Sequence, residues 1–292
     1  MSKLIEALQA GQVLVADGAN GTMLQKLGLL PGVAPERWNL ENQDGVRTLH
    51  RMYAEAGSDM VLTNTFGGSA VRLKRENLDG QAVEINQTAA ALAREAVGAA
   101  VFVLGDIGPT GELMAPLGSL EYEEAVTAFA QQAEALAQGG VDAFLIETMS
   151  DLEEMRAAVE GVKRVTDLPI MASMSFDTKG RTMMGVKPEK AAKALDAMNV
   201  DVMGANCGRT LTETLEAVTA MREVLPEALL LAKPNAGLPH ATAGELVYDV
   251  TPEVMAEYAQ RFVEQAGVVV FGGCCGSTPE HIKAIAAVLK ES

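Results

Sequence analysis

The sequence predicts a (β/α)8 barrel, and three observations carry that prediction. Eight short apolar runs recur along the chain, helix-patterned segments separate them, and polar, acidic and thiol residues gather at the ends of the runs. A chain of 292 residues suits one such barrel, whose usual size is roughly 250 residues. A single domain over residues 1–292 is expected.

The runs, in order, begin at Val13, Asp59, Val101, Ala143, Pro169, Asp201, Ala228 and Gly267. Their hydrophobicity is continuous rather than alternating, as in parallel strands buried on both faces. Between them, segments such as 46–57, 82–97, 123–140, 152–165, 188–198 and 211–224 space their apolar residues by three and four, the period of amphipathic helices. Gly57 and Gly139 suit helix C-terminal caps, and Thr251-Pro252 and Thr278-Pro279 suit an N-cap followed by proline at the first helical position. An open doubly wound sheet is the alternative, but no G-x-G-x-x-G follows the first run.

Barrel chemistry sits at the C-terminal ends of the strands. The residues found there are Asp17, Asn64, Asp106, Glu147, Asp177, Cys207, Lys233 with Asn235, and Cys274 with Cys275. Sites scattered along the sequence thereby converge on one rim.

The formal charge of −16 repels phosphate backbones and anionic lipid surfaces, which argues against nucleic acid and membrane partners. The start of the chain carries no signal-peptide pattern and no apolar run reaches a spanning length. A cytoplasmic location is expected.

Cys207, Cys274 and Cys275 are the three cysteines. Their odd number and the strain of a vicinal bridge argue against a disulfide framework. Strands six and eight are second neighbours around a barrel, about 10 Å apart, so the three thiols can meet. Three thiolates would leave one tetrahedral position open, the pattern of catalytic zinc, and soft sulfur favours zinc over magnesium or calcium. The competing reading is three buried apolar thiols. His50, His240 and His281 read as surface residues, and methionines such as Met171, Met174, Met183 and Met184 as core filler.

Six blocks carry a resemblance: "DGANGTMLQ", "HRMYAEAGSDMVLTNTFGGS", "LIETMSDLEE", "GANCG", "KPNAGLP" and "GGCCGSTPEHIKAI". Together, in this order, they resemble the homocysteine S-methyltransferase domain, particularly the homocysteine-binding module of cobalamin-dependent methionine synthases. The likeness runs from about residue 10 to residue 290. It implies a barrel in which Cys207, Cys274 and Cys275 hold zinc and homocysteine adds its sulfur, to be methylated to methionine. It also implies that Glu147, helped by Asp17, meets the substrate ammonium, while backbone N–H groups near Ala19 and Asn20 meet its carboxylate. Asn64 and Thr65 fall where substrate contacts or their support are expected. Asn235 is either an oxygen ligand in the absence of substrate or a turn residue after Pro234. Asp106 and Asp177 have no assigned task beyond steadying loops.

The methyl donor is less legible. Betaine-using relatives enclose a quaternary ammonium with aromatic rings, and the positions matching their tyrosines are Gly67 and Thr148. Trp38 offers one wall, and a loop rearrangement is needed to bring in Tyr122 or Tyr248; betaine is disfavoured. A methylcorrinoid fits the blocks, yet the chain has no D-x-H-x-x-G motif, so methylcobalamin is expected on a separate protein or domain. S-methylmethionine stays open as a donor. Two further readings stand beside this one: corrinoid-linked transfer involving another thiol or methylated donor, and a non-catalytic zinc or thiol-binding module.

Overall fold

The structure is a computed structural model that describes residues 2–242 and 245–290. Its strands are β1 (Leu14–Val15), β2 (Met60–Leu62), β3 (Phe102–Ile107), β4 (Ala143–Met149), β5 (Ile170–Met174), β6 (Val202–Cys207), β7 (Leu230–Pro234), β8 (His240–Thr242), β9 (Glu245–Val247) and β10 (Val268–Phe271). Eight of them form one parallel sheet in the order β1-β10-β7-β6-β5-β4-β3-β2, and a parallel bridge between Ala16 and Met60 joins its two edges. The predicted (β/α)8 barrel is the fold. The antiparallel pair β8–β9, inserted between β7 and β10, was not foreseen. It lies outside the repeat that revealed the other eight strands.

The inward face of the barrel has two characters. Its lower part is apolar: Leu104, Leu145, Met171, Val202 and Leu231 pack together there, and Leu4, Ile5 and Leu8 of the helix Lys3–Gln9 close the floor. Full burial of each such side chain contributes roughly 1.5–3 kcal/mol. Further along each strand the same face continues, two residues on as Asp106, Glu147, Ser173 and Lys233 and four residues past Val202 as Asn206, all buried. The polar rim is therefore the upper layer of the same inward register.

A repeated device aligns the strands at their N-terminal ends. Asp59, Asp142 and Asp201 each precede a strand. Each carboxylate accepts the backbone N–H of a neighbouring strand, from Val15 at 2.8 Å, Val103 at 2.7 Å and Ile170 at 2.8 Å. The N–H of each aspartate returns a bond to the carbonyl of that same partner, at 2.7, 2.7 and 2.8 Å. These closed pairs satisfy backbone groups that the ladder alone leaves open.

The outer helices follow the predicted segments. Gly57 has φ +102° after its helix, whereas past the helix Tyr122–Gln138 the left-handed residue is Gly140 at +92°, with Gly139 in an ordinary helical conformation. Thr251 caps its helix through its side chain. Two histidine expectations are overturned: His50 and His281 are buried. His50 lies on the inward stripe of the helix Gln43–Glu55. His281 serves the helix start, its Nδ1 accepting the Thr278 N–H at 3.1 Å while Nε2 donates to the Val250 carbonyl at 2.8 Å. His240 is exposed. Met171 and Met174 are core residues, but Met183 is 73% exposed and Met184 also faces solvent; both fall in the loop between β5 and the next helix, which has no helical stripe to bury them.

Candidate active site

The three cysteines meet at the rim. Their sulfurs lie within 4.8 Å of one another, with Cys207 and Cys274 at 3.1 Å, and all three thiols are free. Two thiolates on one tetrahedral zinc stand about 3.8 Å apart, from Zn–S bonds of ~2.3 Å. The cluster, with one pair at 3.1 Å and none beyond 4.8 Å, brackets that spacing, and its three soft sulfur donors suit zinc.

Backbone geometry explains how distant residues converge. Cys207 ends β6 at φ +56° and Gly208 follows at +76°, so the chain turns sharply and aims the Cys207 sulfur over the rim. A left-handed non-glycine residue costs about 1–3 kcal/mol and persists where the surroundings hold it. Past the end of β10, the N–H groups of Gly272, Gly273 and Cys274 bond to the carbonyls of Ala232, Asp17 and Pro234. This extends the strand's register to the cysteines. Ser277 Oγ then donates to the Cys274 carbonyl at 2.6 Å, tightening the turn.

The closeness of the three sulfurs couples their titrations. Hydrogen bonds from Cys207 and then Cys274 lower the Cys275 pKa to about 4. The Cys207 thiol is pushed up by its bonds to Cys274 and Cys275. Metal binding by such a cluster is coupled to loss of the thiol protons.

The cluster forms one wall of a 620 Å³ cavity lined also by Gly18–Thr22, Asn64, Thr65, Asp106, Glu147 and Lys233, a volume typical of small-molecule sites. Glu147 Oε2 has no hydrogen-bond partner, and burial raises its carboxyl pKa to about 8 against the pull of Lys233. Asp17 is fully engaged: Oδ2 accepts from the Leu62 N–H at 2.8 Å and Oδ1 from Lys233 Nζ at 3.1 Å. Lys233 Nζ lies 3.9 Å from Glu147.

The remaining expected residues divide between contact and support. The Ala19 N–H donates to Ser277 Oγ at 3.1 Å, so it is already committed. The helix Asn20–Lys26 opens on the cavity without a side-chain cap, and Asn20 Oδ1 is buried without a partner. Asn64 Nδ2 donates to the Pro35 carbonyl and to Asn39 Oδ1. Thr65 Oγ1 donates to the Asp106 carbonyl at 2.7 Å. These bonds make Asn64 and Thr65 braces for the wall. Asn235 stands beside the cavity, Nδ2 donating to the Gly208 carbonyl at 2.7 Å and Oδ1 unpartnered. Asp177 is exposed and meets only Thr178 among the described residues; it is not part of the rim, because β5 ends at Met174 and the chain has already turned outward.

Other residues of the site carried no readable sequence signal. Asn206 accepts the Thr148 N–H at 2.8 Å and donates to its Oγ1 at 2.6 Å, holding Thr148 at φ +63°. Glu36, buried in the single 3-10 turn Pro35–Arg37 before Trp38, accepts the Gly67 N–H at 2.6 Å. A Cβ on Gly67 would stand 3.0 Å from that carboxylate and 3.2 Å from the stem of Arg72. Trp38 packs over Gly45 and is not in the cavity wall. Tyr122 bonds Glu160, and the Tyr248 ring lies against Gly276. Among the described residues, Phe66 is the one aromatic ring lining the cavity.

Comparisons with known proteins bear on the family and the fold. The family model described as homocysteine S-methyltransferase matches residues 14–289. The chain is 33% identical over 98% of its length to a methionine synthase of Mycobacterium leprae, and 34% identical over 95% to one of Mycobacterium tuberculosis. It spans about a quarter of each (25%). Among solved structures, the metallated form of the homocysteine methyltransferase MmuM from Escherichia coli superposes with a TM-score of 0.81 at 23% identity, covering 97% of this chain and 99% of that one; the likeness is one of fold. Matched along nearly its whole length by the family model, the chain belongs to the homocysteine S-methyltransferase family.

Proposed function

We propose that this barrel acts as one domain that binds zinc through Cys207, Cys274 and Cys275 and methylates homocysteine to methionine. The observation that carries the reading is the convergence of three sulfurs within 4.8 Å on the wall of a cavity that also holds the unpartnered carboxylate oxygen of Glu147. The sulfur cluster suits a thiol and the carboxylate an ammonium. Homocysteine carries both.

A free thiol, with a pKa of about 8.5, is mostly protonated at pH 7 and a poor nucleophile. When bound to the three cysteines, zinc supplies Lewis acidity and an open position for the substrate sulfur. The protein's own groups do the rest. Glu147 fixes the ammonium, the uncapped helix start at Asn20 offers N–H groups to the carboxylate, and Asn206 holds Thr148 and the strand ends in place. Fixing both ends of the amino acid orients its sulfur toward the remaining cavity, where the donor enters.

The donor in this reading is a methylcorrinoid carried by another protein or domain. Support comes from the methionine synthases that the chain matches over a quarter of their length (25%), and from the wall at Gly67 and Thr148, where Glu36, Arg72 and Asn206 stand in place of aromatic rings. The test is methyl transfer to homocysteine from methylcobalamin, S-methylmethionine and betaine in parallel, with zinc quantified in the same sample. Expected are about one zinc per chain and transfer from methylcobalamin. Transfer from betaine alone overturns the donor assignment, and zinc binding without transfer from any donor, corrinoid protein included, leaves a binding module.

A further inference from the structure

We infer that Ser277, clamped by Tyr53, is a positioning residue that fixes the span between the cysteine cluster and the cavity wall at Gly18–Thr22, and so selects the thiol amino acid by its chain length. The inference rests on the proposed function and names what sets its specificity.

One hydroxyl joins two loops from opposite ends of the chain. The Ala19 N–H donates to Ser277 Oγ at 3.1 Å, and Ser277 Oγ donates to the Cys274 carbonyl at 2.6 Å. The Ser277 N–H bonds the same carbonyl at 3.1 Å. A serine hydroxyl has one proton to give, so the direction of the chain is settled, from the wall through the serine to the cysteine turn. Ala19 and Cys274 both line the cavity, and Ser277 does not.

Tyr53, on the helix Gln43–Glu55, closes the ring. Its hydroxyl donates to the Ala19 carbonyl at 2.9 Å and reaches the Ser277 carbonyl at 3.3 Å. Ala19 is thereby held at both its N–H and its carbonyl. Ser277 and Tyr53 are fully buried, and the packing around them leaves no slack. A Cβ on Gly18 would stand 2.8 Å from both hydroxyl oxygens, and one on Gly273 would collide with Ser277 Oγ. A fully paired buried network rigidifies what it joins.

A rigid span measures its ligand. Homocysteine places its sulfur at the cluster and its amino-acid end at the wall; cysteine, one methylene shorter, reaches both only if the two loops approach each other. The Ser277 bridge opposes that approach, and binding at both ends rewards only the chain that fits the fixed distance.

The test measures binding of homocysteine and of cysteine by calorimetry on zinc-loaded protein, with zinc quantified in each sample. Wild type is expected to prefer homocysteine by about tenfold or more, as a single methylene can confer. Ser277→Ala breaks the bridge and should weaken homocysteine about tenfold and cysteine about twofold or less, so that the preference narrows while zinc content is unchanged. Tyr53→Phe should narrow it in the same direction, and Ser277→Thr, which keeps the hydroxyl, should retain the wild-type ratio. A ratio unchanged in both Ser277→Ala and Tyr53→Phe, zinc or fold lost in both, or a Ser277→Thr variant that behaves like Ser277→Ala would overturn the inference. Wild-type protein that binds zinc and fails to prefer homocysteine would instead sink the homocysteine reading itself, and this assignment with it.

Discussion

The two ends of the barrel are built from the same strands and obey opposite rules. At the floor, Leu4, Ile5 and Leu8 cover inward-facing apolar residues, and the aspartates preceding β2, β4 and β6 pair the backbone of neighbouring strands. At the rim, one layer higher, buried oxygens of Asp106, Glu147, Asn20 and Asn235 have no hydrogen-bond partner, and Thr148 and Cys207 adopt left-handed backbone conformations. Satisfied groups at the floor stabilise the fold, and at the rim Asp106, Glu147 and Asn20 line the cavity with oxygens that lack hydrogen bonds. The floor therefore supplies stability that the rim spends on binding.

Changes at the rim and at the floor should separate cleanly. The largest effect is expected at the metal cluster: Cys207→Ser removes one of three sulfur ligands, and methyl transfer should fall on the order of 10³-fold, equivalent to about 4 kcal/mol of lost transition-state stabilisation. Zinc analysis should show the metal lost while the thermal midpoint in the absence of metal stays near that of wild type. Unaltered turnover would break the assignment. Leu8→Ala inverts this pattern. Removing a fully buried side chain from the floor should cost about 3 kcal/mol in denaturant unfolding and leave homocysteine affinity within twofold.

His50 sharpens the comparison because it is buried away from the rim with both ring nitrogens unpartnered. Burial lowers its pKa from 6.5 to about 4. Below the higher value the unfolded chain binds a proton that the native ring refuses. The associated stability is complete above 6.5, declines as the pH falls and is gone below about 4. Between pH 7 and pH 5 this linkage amounts to about 2 kcal/mol. Unfolding of wild type and His50→Leu at the two pH values should show the variant losing less stability on acidification by that amount. Parallel pH dependence in both proteins would mean that His50 is protonated, or exposed, in the native state.

Where the sequence reading failed, the failures share a cause. His50 and His281 read as surface residues because imidazole is ambivalent about burial and neither its helical face nor its partners can be fixed from one chain. Asp177 was placed on the rim from the length of an apolar run, but β5 ends three residues before it. Trp38 has the right chemistry for a cage wall, and the helix start at Gln43–Glu55 took its ring instead.

The sequence by itself determined the barrel, because eight apolar runs alternating with helical periodicity leave few other ways to bury both faces of a parallel sheet. It also determined the cysteine cluster, since strand-end position alone brings Cys207 toward Cys274 and Cys275. Tertiary structure decided the electrostatics of the pocket: which carboxylate Lys233 bonds most closely, which oxygens of Glu147 and Asp106 go without hydrogen bonds, and what fills the wall at Gly67. Strand periodicity fixes which face a residue occupies. Partners drawn from five different strands and loops are fixed only by distances of a few ångströms, which no local pattern in the chain encodes.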